Sequence, residues 1–363
     1  MQDGIREAIE YLGKVYRARE PGRLQVKGNS SSYEISPRNI MPIEGEWSGL
    51  IGVVDGGNQG IVEGPGCTVQ FNRVYGGIWD SRSASFVEEY TEEFVSVTTV
   101  GSGEVKTALM PLSGAHALPR EEDLVFRAGD PSLLGPSGRM DMSLLSSVAR
   151  RFSERSMASF ISSRLSDGSV LLLDGTLQST FTNESAYLSN LVSRCRSRGV
   201  FLSALAKTSN MVTDTGVPLY HAVSTAERQS LVRPPWFMPL ADIYFKDHKV
   251  RMHAVRMHPM GRIFRFEMNL EQALELEREK RTGEVMSALL STSLDPVSPG
   301  YPYCLVHADT MARVTGDEAS MLRALAVSSA FDAGLGDMLQ DIVESVDYHD
   351  VLNTFVGGGD SGL

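Results

Sequence analysis

The stretch LLLDGTL at residues 171–177 sets the fold. With Val170 ahead of it, the run reads as a buried strand ending at Asp174, and the Asp-Gly pair reads as the turn out of it. Upstream, MSLLSSVARRFSERSMASFISSRL (142–165) places Leu144, Leu145, Val148, Phe152, Ser156 and Ser159 down one side of a helix. Glu154 shares a neighbouring stripe with Arg151, Ala158 and Ile161, so it lies beside the buried face and not opposite it. Downstream come a helix around 184–197 and a strand within GVFLSALAKTS (199–209). Strand, helix, strand with short links implies a parallel pair joined by a right-handed crossover.

Working outward, LIGVVDGG (50–57) is an apolar run expected to end at Asp55 and to turn at its two glycines. CTVQFNRVYGG (67–77), SFVEEYTEEFVSVTTV (85–100) and VKTALM (105–110) read as further strands, antiparallel because their links are short. Residues 111–140 hold Pro111, Pro119, Pro131 and Pro136 and predict an irregular excursion. A Pro-rich loop (233–239), strands over 241–257 and 261–268, and helices near 270–291, 303–313, 316–330 and 336–353 complete the body, with Thr315 and Glu318 as a capping box. Ile5, Ile9, Leu12, Val15 and Tyr16 make the N-terminus an amphipathic helix. The expected organisation is that helix with a linker or arm over 1–45, one domain over 46–353, and a disordered tail over 354–363.

The chain has 363 residues, 42% of them hydrophobic, which suffices for a sizeable core. Lys plus Arg total 34 against 45 Asp plus Glu, a net charge of -11. That balance excludes a protein that grips nucleic acid by general electrostatics alone; a polyanion would need a local basic patch, a divalent metal or a partner. Cys67, Cys195 and Cys304 are widely spaced and form no CxxC pair, which fits a reducing compartment. No run approaches the roughly 20 apolar residues of a membrane span, and a cytoplasmic protein is expected.

Asp-Gly is a common turn pair, and at both positions it can be simply a turn. The haloacid dehalogenase phosphatases carry Asp-x-Asp-Gly-Thr after an apolar run, but the nucleophile's position here is Leu172, which cannot attack phosphorus. VTDTGVP (212–218) spells an aspartic-protease triplet without the second carboxylate such a site requires, so Asp214 reads as a surface turn. DGGNQG (55–60) is one match to the phosphate loops of ATP-binding actin and sugar-kinase folds, an alternative that also needs a second such loop and an adenosine motif.

The order of elements is more informative. Asp55 ends one apolar strand, antiparallel strands follow, then a helix carrying Glu154, then the strand ending in Asp174. This is the order of an α/β, ribonuclease H-like mixed sheet flanked by helices, here with an N-terminal helix and C-terminal helices added. Clustered carboxylates repel one another unless Mg²⁺ or Mn²⁺ neutralises them, and such a metal pair hydrolyses phosphodiesters. His248, His253 and His258 are spaced five apart, which spreads them over different faces, whereas His307 sits among apolar residues of a late helix.

VVDGG (53–57), FNRV (71–74), ARRFSER (149–155), LLLDGTL, ALAKTSN (204–210) and GYPYCLVHAD (300–309) together resemble the NurA nuclease family, in order and spacing, over about 48–315. The resemblance implies a metal-dependent DNA nuclease, a 5′-3′ exonuclease and single-strand endonuclease, that works in DNA end resection. It implies two Mn²⁺ or Mg²⁺ ions, a ring-like homodimer, and a HerA-type hexameric translocase as partner. Matched positions are Asp55, Glu154, Asp174 and His307 for metal and catalysis, and Lys207 for catalysis and for holding a scissile or adjacent phosphate; Arg73 is a further phosphate candidate. His307 would ligate metal or protonate the leaving 3′ oxygen. The family's first motif reads Asp-Gly-Ser, and Gly57 replaces the serine. Glu88, Glu89, Glu92 and Glu93 are alternatives to Glu154. RPPWFMPL (233–240) could stack a base or meet the translocase, but packing in a dimer or in the core is the favoured reading. A non-catalytic translocase-binding scaffold is the remaining reading.

Overall fold

The computed structural model describes residues 2–17, 19–114, 116–245 and 248–342. Among the described residues twelve strands form one mixed sheet: β1 (Ser30–Ser32), β2 (Met41–Pro42), β3 (Leu50–Gly64), β4 (Cys67–Asp80), β5 (Ser85–Val100), β6 (Glu104–Ser113), β7 (Val125–Arg127), β8 (Val170–Asp174), β9 (Phe201–Ala206), β10 (Trp236–Phe245), β11 (His248–Arg256) and β12 (Phe264–Asn269). The order is β1-β10-β11-β12-β9-β8-β3-β4-β5-β6-β7, with β2 also on β10. At its centre β3, β8 and β9 run parallel, and antiparallel arms extend from both sides.

The helices are α1 (Gln2–Arg17), α2 (Met142–Arg164), α3 (Glu184–Ser197), α4 (Leu219–Gln229), α5 (Leu270–Arg278), α6 (Thr282–Ser291), α7 (Tyr303–Ala312) and α8 (Gly316–Asp332). Strand alternation decides which helix meets which face. Leu171 and Leu173 pack in one core with α2, α3 and α4; Val170 and Leu172 pack in the other with α5, α6 and α7. Val170, Leu171 and Leu172 are fully buried, each contributing about 1.5–3 kcal/mol, which is why so short a strand is apolar at every position but its last. Asp141 caps α2 by accepting from Ser143 N at 2.9 Å, and the expected Thr315–Glu318 capping box opens α8.

Several expectations change. β3 does not end at Asp55 but continues through both glycines to Gly64. The single strand expected over 241–257 is the hairpin of β10 and β11, and β10 begins at Trp236, inside the stretch expected as a loop. One helix over 270–291 is two, and α4 was not anticipated. Residues 21–45, expected as a linker or arm, lie on the sheet edge through β1 and β2, with Leu24, Ile35, Ile40 and Ile43 buried. The chain is helical again over 336–342; the rest of the helix expected to 353, and the tail, lie outside the described residues.

Candidate metal centre and active site

In β3 and β8 the parallel register pairs Val53 with Leu172 and Val54 with Leu173. One step further come Asp55 and Asp174, level with each other and sharing the parity of Val53 and Leu172, so both face α7. From α7, Asp309 completes a group whose three carboxylate oxygens all lie within 4.8 Å of one another. Each is half-buried.

Lys207 lies just past β9, two residues beyond Leu205, the register partner of Asp174. Its ammonium is 2.7 Å from Asp174 Oδ2 and 3.2 Å from Asp309 Oδ1. Burial works against the charge, but Asp174 and then Asp309 hold the Lys207 ammonium above lysine's usual range. Asp309 also accepts from Arg313 Nη2 at 2.6 Å; burial opposes ionisation, and the hydrogen bonds from Arg313 and Lys207 keep it below the usual carboxylate range. Among the described residues no cation forms a hydrogen bond or ion pair with Asp55, which accepts from Gly56 N at 2.8 Å. Burial first, then the charges of Asp174 and Glu154, push it up to about 7. Three carboxylate oxygens gathered this closely, with an ammonium already drawn between two of them, suit a hard divalent cation.

Glu154 approaches from the other side of the sheet. It sits on α2 against Gly56, where its Oε1 would lie 2.6 Å from any added Cβ. The strand is thin there, and that lets the charge of Glu154 reach Asp55. Glu154 pairs with Arg150, whose Nη1 also donates to the Gly56 carbonyl at 3.3 Å. The glycine after Asp55 therefore makes room for a side chain rather than a turn. After Asp174 the turn reading holds, since Gly175 has φ +96.

The loop after Asp174 is gripped from both faces. Arg151 Nη2 donates to the Gln178 carbonyl at 2.6 Å, Arg155 Nη2 to the Thr176 carbonyl at 3.3 Å, and both arginines pair with buried Glu184. From β12, buried Glu267 accepts from Leu177 N at 2.8 Å. Burial opposes its charge, but His248 and Arg265 hold Glu267 down to about 2.

His307 is not brought to the three oxygens. Its Nε2 lies 3.0 Å from Glu89 Oε2, its ring stacks on Phe86 at 4.5 Å, and Tyr75 Oη donates to the same Glu89 oxygen at 2.8 Å. Two residues along a helix are about 200° apart, so His307 faces β4 and β5 while Asp309 faces Lys207. Asp309 is the functional candidate that the sequence reading passed over. It stands two residues after His307 in the same GYPYCLVHAD segment, and an oxygen donor is the better match to a hard cation.

Arg73 is fully engaged: Nε with Glu93 at 2.7 Å, Nη1 to the Arg313 carbonyl at 2.8 Å, and Nη2 with Glu318. It ties β4 to the α7–α8 corner. Asp55–Gly60, the phosphate-loop alternative, is extended within β3 and forms no loop. Trp236, Phe237 and Met238 are buried in β10, so RPPWFMPL packs inside. Asp214 is exposed in a turn and accepts from Arg23 N at 2.9 Å.

The NurA domain matches residues 49–314. The chain belongs to the NurA family. A comparison with curated protein sequences found no match. The crystal structure of the NurA nuclease from Sulfolobus solfataricus is 14% identical, covers 92% of this chain and 95% of its own, and superposes with a TM-score of 0.50. A second NurA crystal structure is 9% identical over 80% of this chain and 90% of its own, TM-score 0.46, and human endonuclease V is 12% identical over 80% and 94%, TM-score 0.35. The first of these speaks for the shared fold, the ribonuclease H-like mixed sheet expected from the order of elements.

In this NurA chain the glycine that replaces the first motif's serine has a local reason. A Cβ at residue 57 would run into the Ala312 carbonyl oxygen, so α7 ends closer to β3 than a serine permits. No helix among the described residues is long and apolar enough to cross a membrane.

Proposed function

We propose that this NurA protein is a metal-dependent deoxyribonuclease whose cation is held by Asp55, Asp174 and Asp309. The observation that carries the reading is the convergence of those three oxygens within 4.8 Å, on three separate elements. When bound, one or two Mn²⁺ or Mg²⁺ ions supply polarisation of the scissile phosphate and a lowered pKa for the attacking water. Glu154, on the α2 side of β3 and paired with Arg150, acts on the centre through the negative charge it adds beside Asp55. Lys207 releases its carboxylates and turns its ammonium to a non-bridging phosphate oxygen. His307, turned to Glu89 and stacked on Phe86, serves the packing of α7 on β4 and β5 and takes no part in the chemistry proposed for the three carboxylates. Arg73 serves the fold and not the substrate.

Family membership supports the wider assignment: 5′-3′ exonuclease and single-strand endonuclease activity in end resection, a homodimer, and a HerA-type hexameric translocase as partner. The test is degradation of end-labelled DNA with Mn²⁺, Mg²⁺ or EDTA by the wild type and by Asp55→Asn, Asp174→Asn and Asp309→Asn. Cleavage should need metal and fall by at least about 10²-fold in each variant. Full metal-dependent cleavage by two of the three would overturn the site; ATP binding without cleavage would favour the kinase-fold alternative.

A further inference from the structure

A cavity of about 480 Å³ opens from Lys207, walled by Thr208, Ser209, Ser224, Arg256 and Arg262. We propose that it holds a backbone phosphate of the DNA strand beside the bond being cut, with Arg262 as the cation that grips it. The inference rests on the nuclease reading above and adds the place where the strand is held.

Three observations carry it. The lining offers hydroxyls and three cations and includes no carboxylate, in a chain whose net charge is -11. It is also continuous with the metal centre, because Lys207 belongs to both. A strand laid along it would pass from a cationic wall onto the acidic cluster, where only the cation-bound phosphate is tolerated.

The third is a division of labour between the two arginines. Arg256 is committed: Nη1 pairs with Glu227 at 2.6 Å, Nε donates to the Gly261 carbonyl at 3.1 Å and Nη2 to the Pro259 carbonyl at 2.7 Å. Glu227 is itself fixed by Trp236 Nε1 at 2.8 Å. Those bonds pin the turn that presents the next residue, Arg262, which is exposed and has no hydrogen-bond or ion-pair partner among the described residues. A free guanidinium on a braced turn is prepared for a phosphate oxygen and loses little freedom in taking one.

The test is fluorescence anisotropy of a labelled single-stranded oligonucleotide with the full chain in EDTA, over a range of salt. Arg262→Ala should weaken binding about tenfold at low salt. It should also reduce the slope of log affinity against log salt by about 0.7, the share of one phosphate on a single strand. Arg262→Lys should recover most of the slope, and Arg139→Ala, at another exposed arginine whose side chain has no partner among the described residues, should leave it unchanged. In steady-state cleavage the loss should fall on KM more than kcat, and the rise in Tm on adding Mn²⁺ should stay at the wild-type value. A wild-type affinity and slope in Arg262→Ala, while the wild type still cuts DNA, would overturn this subsite alone. A wild type that neither binds nor cuts DNA would remove the nuclease reading and this inference with it.

Discussion

Gly56 and Glu154 are matched across the sheet: a Cβ at residue 56 would lie 2.6 Å from Glu154 Oε1 and 2.9 Å from its Cγ. Gly56→Ala should therefore cost about 1–3 kcal/mol by crowding and turn Glu154 away from Asp55, lowering cleavage although no ligand is removed. Gly57→Ser meets the backbone of α7 instead of a flexible side chain, so its Tm should fall further. Thermal melts and cleavage rates of the two variants check the order; equal, near-wild-type melts would contradict the close approach at both glycines.

Asp55 gives the cation-free protein a pH dependence of known sign. Its folded pKa, about 7, lies above the unfolded 3.8, so its contribution to stability is full below about 4 and is lost as pH rises through 7. Melts in EDTA should fall across that window, and Asp55→Asn should flatten the decline. Mn²⁺ should stabilise the wild type more at pH 7.5 than at pH 5.5, since binding must displace the Asp55 proton. The same slope in Asp55→Asn would mean another group is responsible.

At the acid end, buried His253 acts with the opposite sign. Burial, then the charge of Arg251, lower it from 6.5 to about 3, and its Nδ1 has no hydrogen-bond partner among the described residues. The stability this neutral ring contributes is present above 6.5 and lost as pH falls toward 3. Replacing it by leucine between Phe237 and Phe266 should shallow the loss of Tm between pH 6 and pH 4.

Glu267 joins β12 to the loop that carries Asp174. Glu267→Gln leaves Arg265 without its counter-charge and weakens the bond to Leu177 N, at a cost of about 3–5 kcal/mol. Because the loop is loosened, the Tm rise on adding Mn²⁺ should shrink as well. An unchanged Mn²⁺ response in a destabilised variant would show that the arginines of α2 hold the loop by themselves.

The central strands and α2 were legible in the sequence because burial on defined faces imposes a period, and Asp174 stood where an apolar run had to stop. Asp55 was legible as a residue but not as a position. Asp-Gly-Gly reads as a turn, and only the packing of Glu154 and the Ala312 carbonyl shows why glycine is needed in a strand. The β10–β11 hairpin was hidden because no glycine or proline stands between Leu240 and His258 to mark where one strand gives way to the next. Asp309 was missed because a one-dimensional segment cannot tell which of two nearby helical residues faces the sheet end; the rotation between His307 and Asp309 decides it.

Lys207 gives the centre an order of events. In zinc fingers the chain cannot close until the ion arrives. Here the ammonium between Asp174 and Asp309, and a proton on Asp55 below about pH 7, already quiet the repulsion. On the proposed reading the protein would fold with its own side chain as placeholder and be armed afterwards, the cation taking the place of a lysine that needs to travel only far enough to meet the substrate.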